Sequence, residues 1–218
     1  MRVRVAVFII EIVVLSTGVR VSPAAEVYNL NPIADSTVSS ANPDSNYGLG
    51  GALAISAAGL SRGEFQTVMK FDTSAARAVF DSVFGTGNWS VSGIVLRLNA
   101  ANPNNPLFNA QSAGQFSIHW MQDDSWMEGD GGPSAPGVNG VTFNSLPGHL
   151  VNGSELLGSF AFGGATSGPF QFSFLPTVGL NADLLSGNQA SLWLNAADSG
   201  VSFCSIRTIF PMRPIIHN

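Results

Sequence analysis

The chain has little charge, one lysine and one cysteine. Charged residues fill 11% of its 218 positions, against about 25% in an average soluble protein. Lys70 is the only lysine among nine basic residues, and the formal net charge is −5 with no Lys/Arg run. The clustered cations that displace counterions from nucleic acid are therefore missing, which excludes that class of partner. Glu and Lys are too scarce for coiled coils or long helices. Cys204, standing alone, closes no internal disulfide and supplies no thiolate site. Disorder is excluded by an apolar content of 45% with fifteen Phe, which would collapse in water. What the chain does have is glycine, 24 residues in all, with abundant Asn, Ser and aromatics. That mixture reads as short strands joined by many turns.

The first 24 residues read as an export signal. Arg2 and Arg4 form a positive start, Val5 to Leu15 is apolar except for Glu11, and Ser22-Pro23-Ala24 offers small residues for cleavage. The apolar stretch falls short of the ~20 residues that span a bilayer, so no stable membrane span is expected after cleavage. Removal of residues 1–24 takes away Arg2, Arg4, Arg20 and Glu11, leaving six basic and thirteen acidic residues, a net charge of −7. Residues 25–218 then suit one sandwich- or barrel-type domain large enough to fold without disulfides. Two Asn-x-Ser triplets, at Asn88 and Asn152, carry little weight in a chain so rich in both residues.

Period-2 alternation recurs along the rest. Phe65, Thr67, Met69 and Phe71 alternate with Gln66, Val68, Lys70 and Asp72; Phe116, Ile118 and Trp120 with Ser117 and His119; Phe170, Phe172 and Phe174 with Gln171 and Ser173. Ile94 to Leu98, Leu192 to Leu194 and Val201 to Phe203 repeat the pattern, and clusters such as Asn102-Pro103-Asn104-Asn105-Pro106 separate the runs. The expected fold is an all-β, jelly-roll-like antiparallel sandwich. One helix is expected from Thr73 to Phe84, where Ala76, Val79, Phe80, Val83 and Phe84 fall on a helical spacing. Residues 129–140, rich in Gly and Pro, read as a long loop inside the domain.

Catalytic motifs are weak. Gly59-Leu60-Ser61-Arg62-Gly63 fits G-x-S-x-G, but a strand pattern follows where a nucleophile elbow needs a helix, so a hairpin turn is expected. His119, His149 and His217 show no metal spacing. Asp123, Asp124, Glu128 and Asp130, interleaved with Trp126, form the densest polar cluster. It reads as a solvated acidic loop, as a Ca²⁺ or sugar contact, or as a glycosidase acid pair. Trp193, opposite Leu192 and Leu194, faces outward or lies under a covering loop.

Several pieces in order resemble the DNRLRE-type domain, a secreted β-sandwich classed among carbohydrate-binding modules. They are Ala34-Asp35-Ser36-Thr37-Val38 with Asn42-Pro43-Asp44-Ser45-Asn46-Tyr47-Gly48, Lys70-Phe71-Asp72 with Ile94 to Leu98, Ser125-Trp126-Met127-Glu128-Gly129 with Val141 to Pro147, and Phe203 to Arg207 with Arg213-Pro214. The Thr73–Trp89 segment resembles a variant found in exported bacterial proteins of the PEP-CTERM kind. The resemblance implies a secreted or cell-surface protein whose partner is a polysaccharide or surface glycan, and it does not imply catalysis.

Three functions follow as expectations. The first is a non-catalytic carbohydrate-binding module in which Trp126, Trp193 and Tyr47 stack on sugars. Asn46, Asp123 and Glu128 would then hydrogen-bond hydroxyls or hold Ca²⁺. The second is a structural or adhesive component of the envelope or matrix with no small ligand. The third is a polysaccharide hydrolase or lyase using the Asp123–Asp130 cluster.

Overall fold

The structure, a computed structural model, describes residues 26–100 and 111–216, the last eleven of these through their backbone. The expected signal over 1–24 and the Asn102–Pro106 turn lie outside the described residues. Among the described residues ten strands form: β1 (Tyr28–Leu30), β2 (Ala34–Ser39), β3 (Leu53–Ser56), β4 (Phe65–Asp72), β5 (Trp89–Ala100), β6 (Gly114–Met121), β7 (Ser154–Phe162), β8 (Gly168–Phe174), β9 (Gln189–Ala196) and β10 (Ser202–Ile216). Every pairing between them is antiparallel. They run in the order β7-β6-β9-β4-β3-β10-β5-β8, with β1 added to β10 and β2 to β4.

This path folds into two layers. The β3–β4 junction is thin, a single paired position at Ser56 and Phe65, and the path turns there. The inward residues of β6, β9 and β4 then meet those of β5, β8 and β10. Phe116 contacts Phe172 edge-on at 4.9 Å, and Phe162 meets Phe203 at 4.5 Å. Phe116, Ile118, Leu192, Leu194, Met69 and Phe71 are all buried in this main core. The expected all-β antiparallel sandwich is the observed fold.

The helix expected after β4 is α1 (Ser74–Phe84), which buries Ala76 and Phe80. Its first turn is held by Asp72, whose carboxylate accepts the Ser74 N–H at 2.9 Å. Gly85, at φ +85°, ends it. Two further short helices are present, α2 (Leu146–Leu150) and α3 (Val178–Ser186). The second of these buries Leu180 and Leu184, one turn apart. The Gly59–Gly63 segment is a pair of tight turns joining β3 to β4, with Leu60 N–H on Ala57 O and Gly63 N–H on Leu60 O. No described helix is long and apolar enough to cross a membrane.

Candidate functional site

Because strand residues alternate, the inward set on β4, β9 and β6 leaves Gln66, Val68 and Lys70, Ser191, Trp193 and Asn195, and Ser117, His119 and Met121 on the outer face. The segment from Gln122 to Gly153 crosses one half of that face and makes a second core there. Val38, Val68, Met121, Trp126, Val141 and Leu146 are buried together in it. The cover is packed through Trp126, Val141 and Leu146. Residues 129–140 form the long loop expected, exposed or half-buried apart from Gly131 and tied to Asn46 through Gly131 and Gly137.

Most of the residues expected to touch a ligand build this cover. Trp126 is 2% exposed, its Nε1 donates to Ser191 Oγ at 2.9 Å, and the Lys70 ammonium sits 4.6 Å from its ring centre. Tyr47 is likewise 2% exposed, and burial raises its phenol pKa against the opposing effect of a hydrogen bond from Asn42. Neither ring can stack on a sugar, which corrects the role expected for both. Asn46 is fully buried. Its Nδ2 donates to Glu128 O and Val141 O, both at 2.7 Å. Its Oδ1 accepts the N–H groups of Gly48 and Gly131, at 3.0 and 3.3 Å. No hydrogen-bonding capacity remains for a sugar hydroxyl, so Asn46 is a clasp for the cover. Glu128 is half-buried and borders an open groove of about 730 Å³ beside Ile33, Asp35 and Leu49.

The acidic cluster is divided among separate partners. Asp123 accepts the Ser125 N–H at 2.7 Å and pairs with His149 Nδ1 at 2.9 Å. Hydrogen bonds from Ser125, with His149 adding to them, bring its carboxyl down to about 2. Asp124 accepts the Ser191 hydroxyl at 2.5 Å, and burial, reinforced by nearby Asp183, pushes it up to about 6. Asp130 is exposed. Among the described residues, no three His, Cys, Asp or Glu side chains are placed to hold a metal ion.

The two aspartates give opposite pH dependences. Asp124 binds its proton more tightly folded than unfolded, so its contribution to stability falls as pH rises from 3.8 to about 6. Asp123 holds its proton less tightly folded, so its contribution is complete above 3.8 and is lost as pH falls towards about 2. Asp124→Asn should therefore flatten the loss of stability between those first two limits, and Asp123→Asn the loss at the acid end. Urea midpoints measured across pH 2 to 7 check both; a wild-type curve with no decline between 3.8 and 6 would contradict the Asp124 assignment.

Trp193 lies where the cover ends. It is half-buried and packs partly against the second core. Its Nε1 donates to Gln66 Oε1 at 2.6 Å, and the His119 ring lies 4.6 Å from it, tilted by 35°. Burial lowers the His119 pKa, against a weaker opposing effect of Asn195, and so favours the neutral ring. Asn195 Oδ1 is itself buried without a formed hydrogen bond. Strand register extends this pair into two parallel rows. Leu156, His119, Trp193 and Val68 are abreast in one row, and Ser159, Ser117 and Asn195 in the next, with Gln66 on β4 tied to Trp193 by its side-chain amide. The Ser117 and Ser159 hydroxyls are 2.9 Å apart. Of the residues expected to bind, only Trp193 stands in this open strip. His119, Ser117, Ser159, Asn195 and Gln66 were not singled out as binding residues by the sequence; alternation marks their outward facing, but only register brings them together.

The fold and this strip define an antiparallel β-sandwich with one outer face half covered and half open. No family model matches the chain, and no curated protein matches it. Among solved structures, one titled for Desmodium yellow mottle tymovirus aligns over 100% of this chain and 96% of its own, at 10% identity and a TM-score of 0.23. A score that low carries no argument.

Proposed function

We propose that the protein is an exported, non-catalytic module that binds carbohydrate at the cell surface or in the extracellular matrix, using the open half of this sheet face. The observation that carries the reading is the Trp193–His119 pair beside a row of hydroxyl and amide side chains. A half-exposed tryptophan ring suits the C–H face of a sugar, and fixed hydroxyls and amides alongside suit its hydroxyls. The DNRLRE-type resemblance supports the same class of ligand. Affinity electrophoresis through gels containing single polysaccharides tests it. Retardation by at least one polymer, weakened about tenfold by Trp193→Ala, is the expected result. Free migration in every gel, with and without calcium, would overturn the proposal.

A structural or adhesive role without a small ligand is favoured by a different observation. Trp89, Trp120, Trp126 and Tyr47 are all buried, which leaves half-buried Trp193 as the one tryptophan that reaches the surface. That reading expects no retardation by any polymer. A hydrolase or lyase has less support, because Asp123 and Asp124 are each engaged by separate partners.

A further inference from the structure

The chemistry of the open strip narrows the ligand, an inference that rests on the carbohydrate-binding reading. We infer that the strip takes an uncharged polysaccharide chain lying across the strands, from β7 to β4, and discriminates against acidic glycans. The first ground is charge. Ser159, Ser117 and Asn195 on one row with Gln66 beyond them, and Leu156, His119 and Trp193 on the other, include no lysine, arginine or carboxylate. Glu64, whose Oε1 accepts Gln66 Nε2 at 2.5 Å, stands at the β4 end of the strip. A carboxylate or sulfate on the ligand would find no lysine or arginine on either row and would face the Glu64 carboxylate at that end, which costs affinity.

The positions of the described cations point the same way. Lys70 Nζ is turned under the cover onto Asp124 O and Trp126 O, at 2.6 and 2.7 Å. Arg77 on α1 pairs with Asp81 at 3.4 Å, Arg97 lies on β5 in the other layer, and Arg62 lies in the turns between β3 and β4. Neither row includes any of them.

The second ground is direction. The polar row crosses three adjacent strands in register at Ser159, Ser117 and Asn195, and two strand spacings make it about 10 Å long. Gln66 on β4, hydrogen-bonded to Trp193, stands beyond its Asn195 end, so polar groups recur across the strands. A chain laid in that direction meets exposed Ser159, half-buried Asn195 and half-buried Gln66 in turn, with the buried Ser117 hydroxyl holding Ser159 from beneath. A short sugar would reach only the Trp193–Gln66 end.

The test compares neutral polymers (glucomannan, mixed-linkage β-glucan, dextran) with acidic ones (alginate, polygalacturonate, hyaluronate), followed by titration with oligosaccharides of increasing length from a neutral polymer that binds. The inference expects retardation by at least one neutral polymer and none by the acidic set, with affinity rising at least tenfold from disaccharide to tetrasaccharide. Ser159→Glu, at the exposed far end of the row, should weaken the tetrasaccharide at least threefold and leave the disaccharide unchanged. That variant leaves the buried core alone, so it serves even if Trp193→Ala fails to fold. Retardation by acidic polymers, or equal affinity at all lengths, would overturn this inference and leave carbohydrate binding standing. Free migration in all six gels would overturn both.

Discussion

Asn46→Ala is expected to lower the unfolding free energy by about 3–4 kcal/mol, a large share of the roughly 5–15 kcal/mol available to a domain. The side chain is fully buried and joins three stretches distant in sequence. Its amide donates to Glu128 O and Val141 O and accepts from Gly48 and Gly131. Alanine leaves two carbonyls and two N–H groups without their partner where water has no access, and each such loss costs about 1 kcal/mol or more. The site has no slack to recover them. A Cβ on Gly131 would overlap the Asn46 carbonyl, and one on Gly129, which sits at φ +80°, would overlap the Asn46 side chain. The backbone pair between Asn46 and Gly137 remains in the variant, at 2.8 and 3.1 Å, so the cover should loosen before it detaches. Asn46→Asp is the sharper control. It keeps the shape but turns the donor into an acceptor facing Glu128 O and Val141 O, and should destabilise at least as much as alanine. Urea unfolding followed by tryptophan fluorescence measures both; a loss below about 1 kcal/mol for either would show that the clasp is dispensable.

The fold was largely legible because each strand declares its two faces. Phe65–Phe71, Phe116–Trp120 and Phe170–Phe174 alternate cleanly, and the helix spacing of Ala76 and Phe80 lies between Thr73 and Gly85, as observed. α3 was hidden, since a nine-residue helix with Gly179 in its first turn shows only Leu180 and Leu184 as a repeat. The site was legible only at Trp193. Tyr47 and Trp126 look like recognition residues because they are aromatics in a Gly- and Asn-rich setting, but the same setting is what a packed cover needs. Glycines let the chain pass close to Asn46, Trp126 fills the space beneath, and Tyr47, next to Asn46 in sequence, is buried as well. Sequence shows which residues point out of a strand. It does not show that a distant segment then covers half of that face, or which strands stand abreast to align Ser117 with Asn195.

The only lysine of the chain should matter most through its neutral partners. Lys70→Ala is expected to destabilise the protein by about 2–4 kcal/mol. Lys70 is 8% exposed, and its ammonium donates to Asp124 O and Trp126 O while lying over the Trp126 ring. Burial lowers its pKa, against weaker opposing effects of Asp124 and Asp123, so the charge is kept at a cost that only good geometry offsets. Alanine removes the donor from two carbonyls and the cation from the ring, and leaves a hole beneath the second core. Lys70→Met separates these losses, since it refills the hole without supplying a donor, and should recover part of the stability but not all. The sign of the pH effect follows from the same burial. Below 10.5 and above the depressed folded value, the unfolded chain holds a proton that the folded chain has released, so wild-type stability gains with rising pH there. Both variants should lose that gain. Chemistry offers an independent check, because any lysine acylation must occur at Lys70. In the native protein its rate should follow opening of the cover, and Asn46→Ala should speed it by about a hundredfold or more. Native acylation as fast as in urea would show that Lys70 is not held beneath the cover.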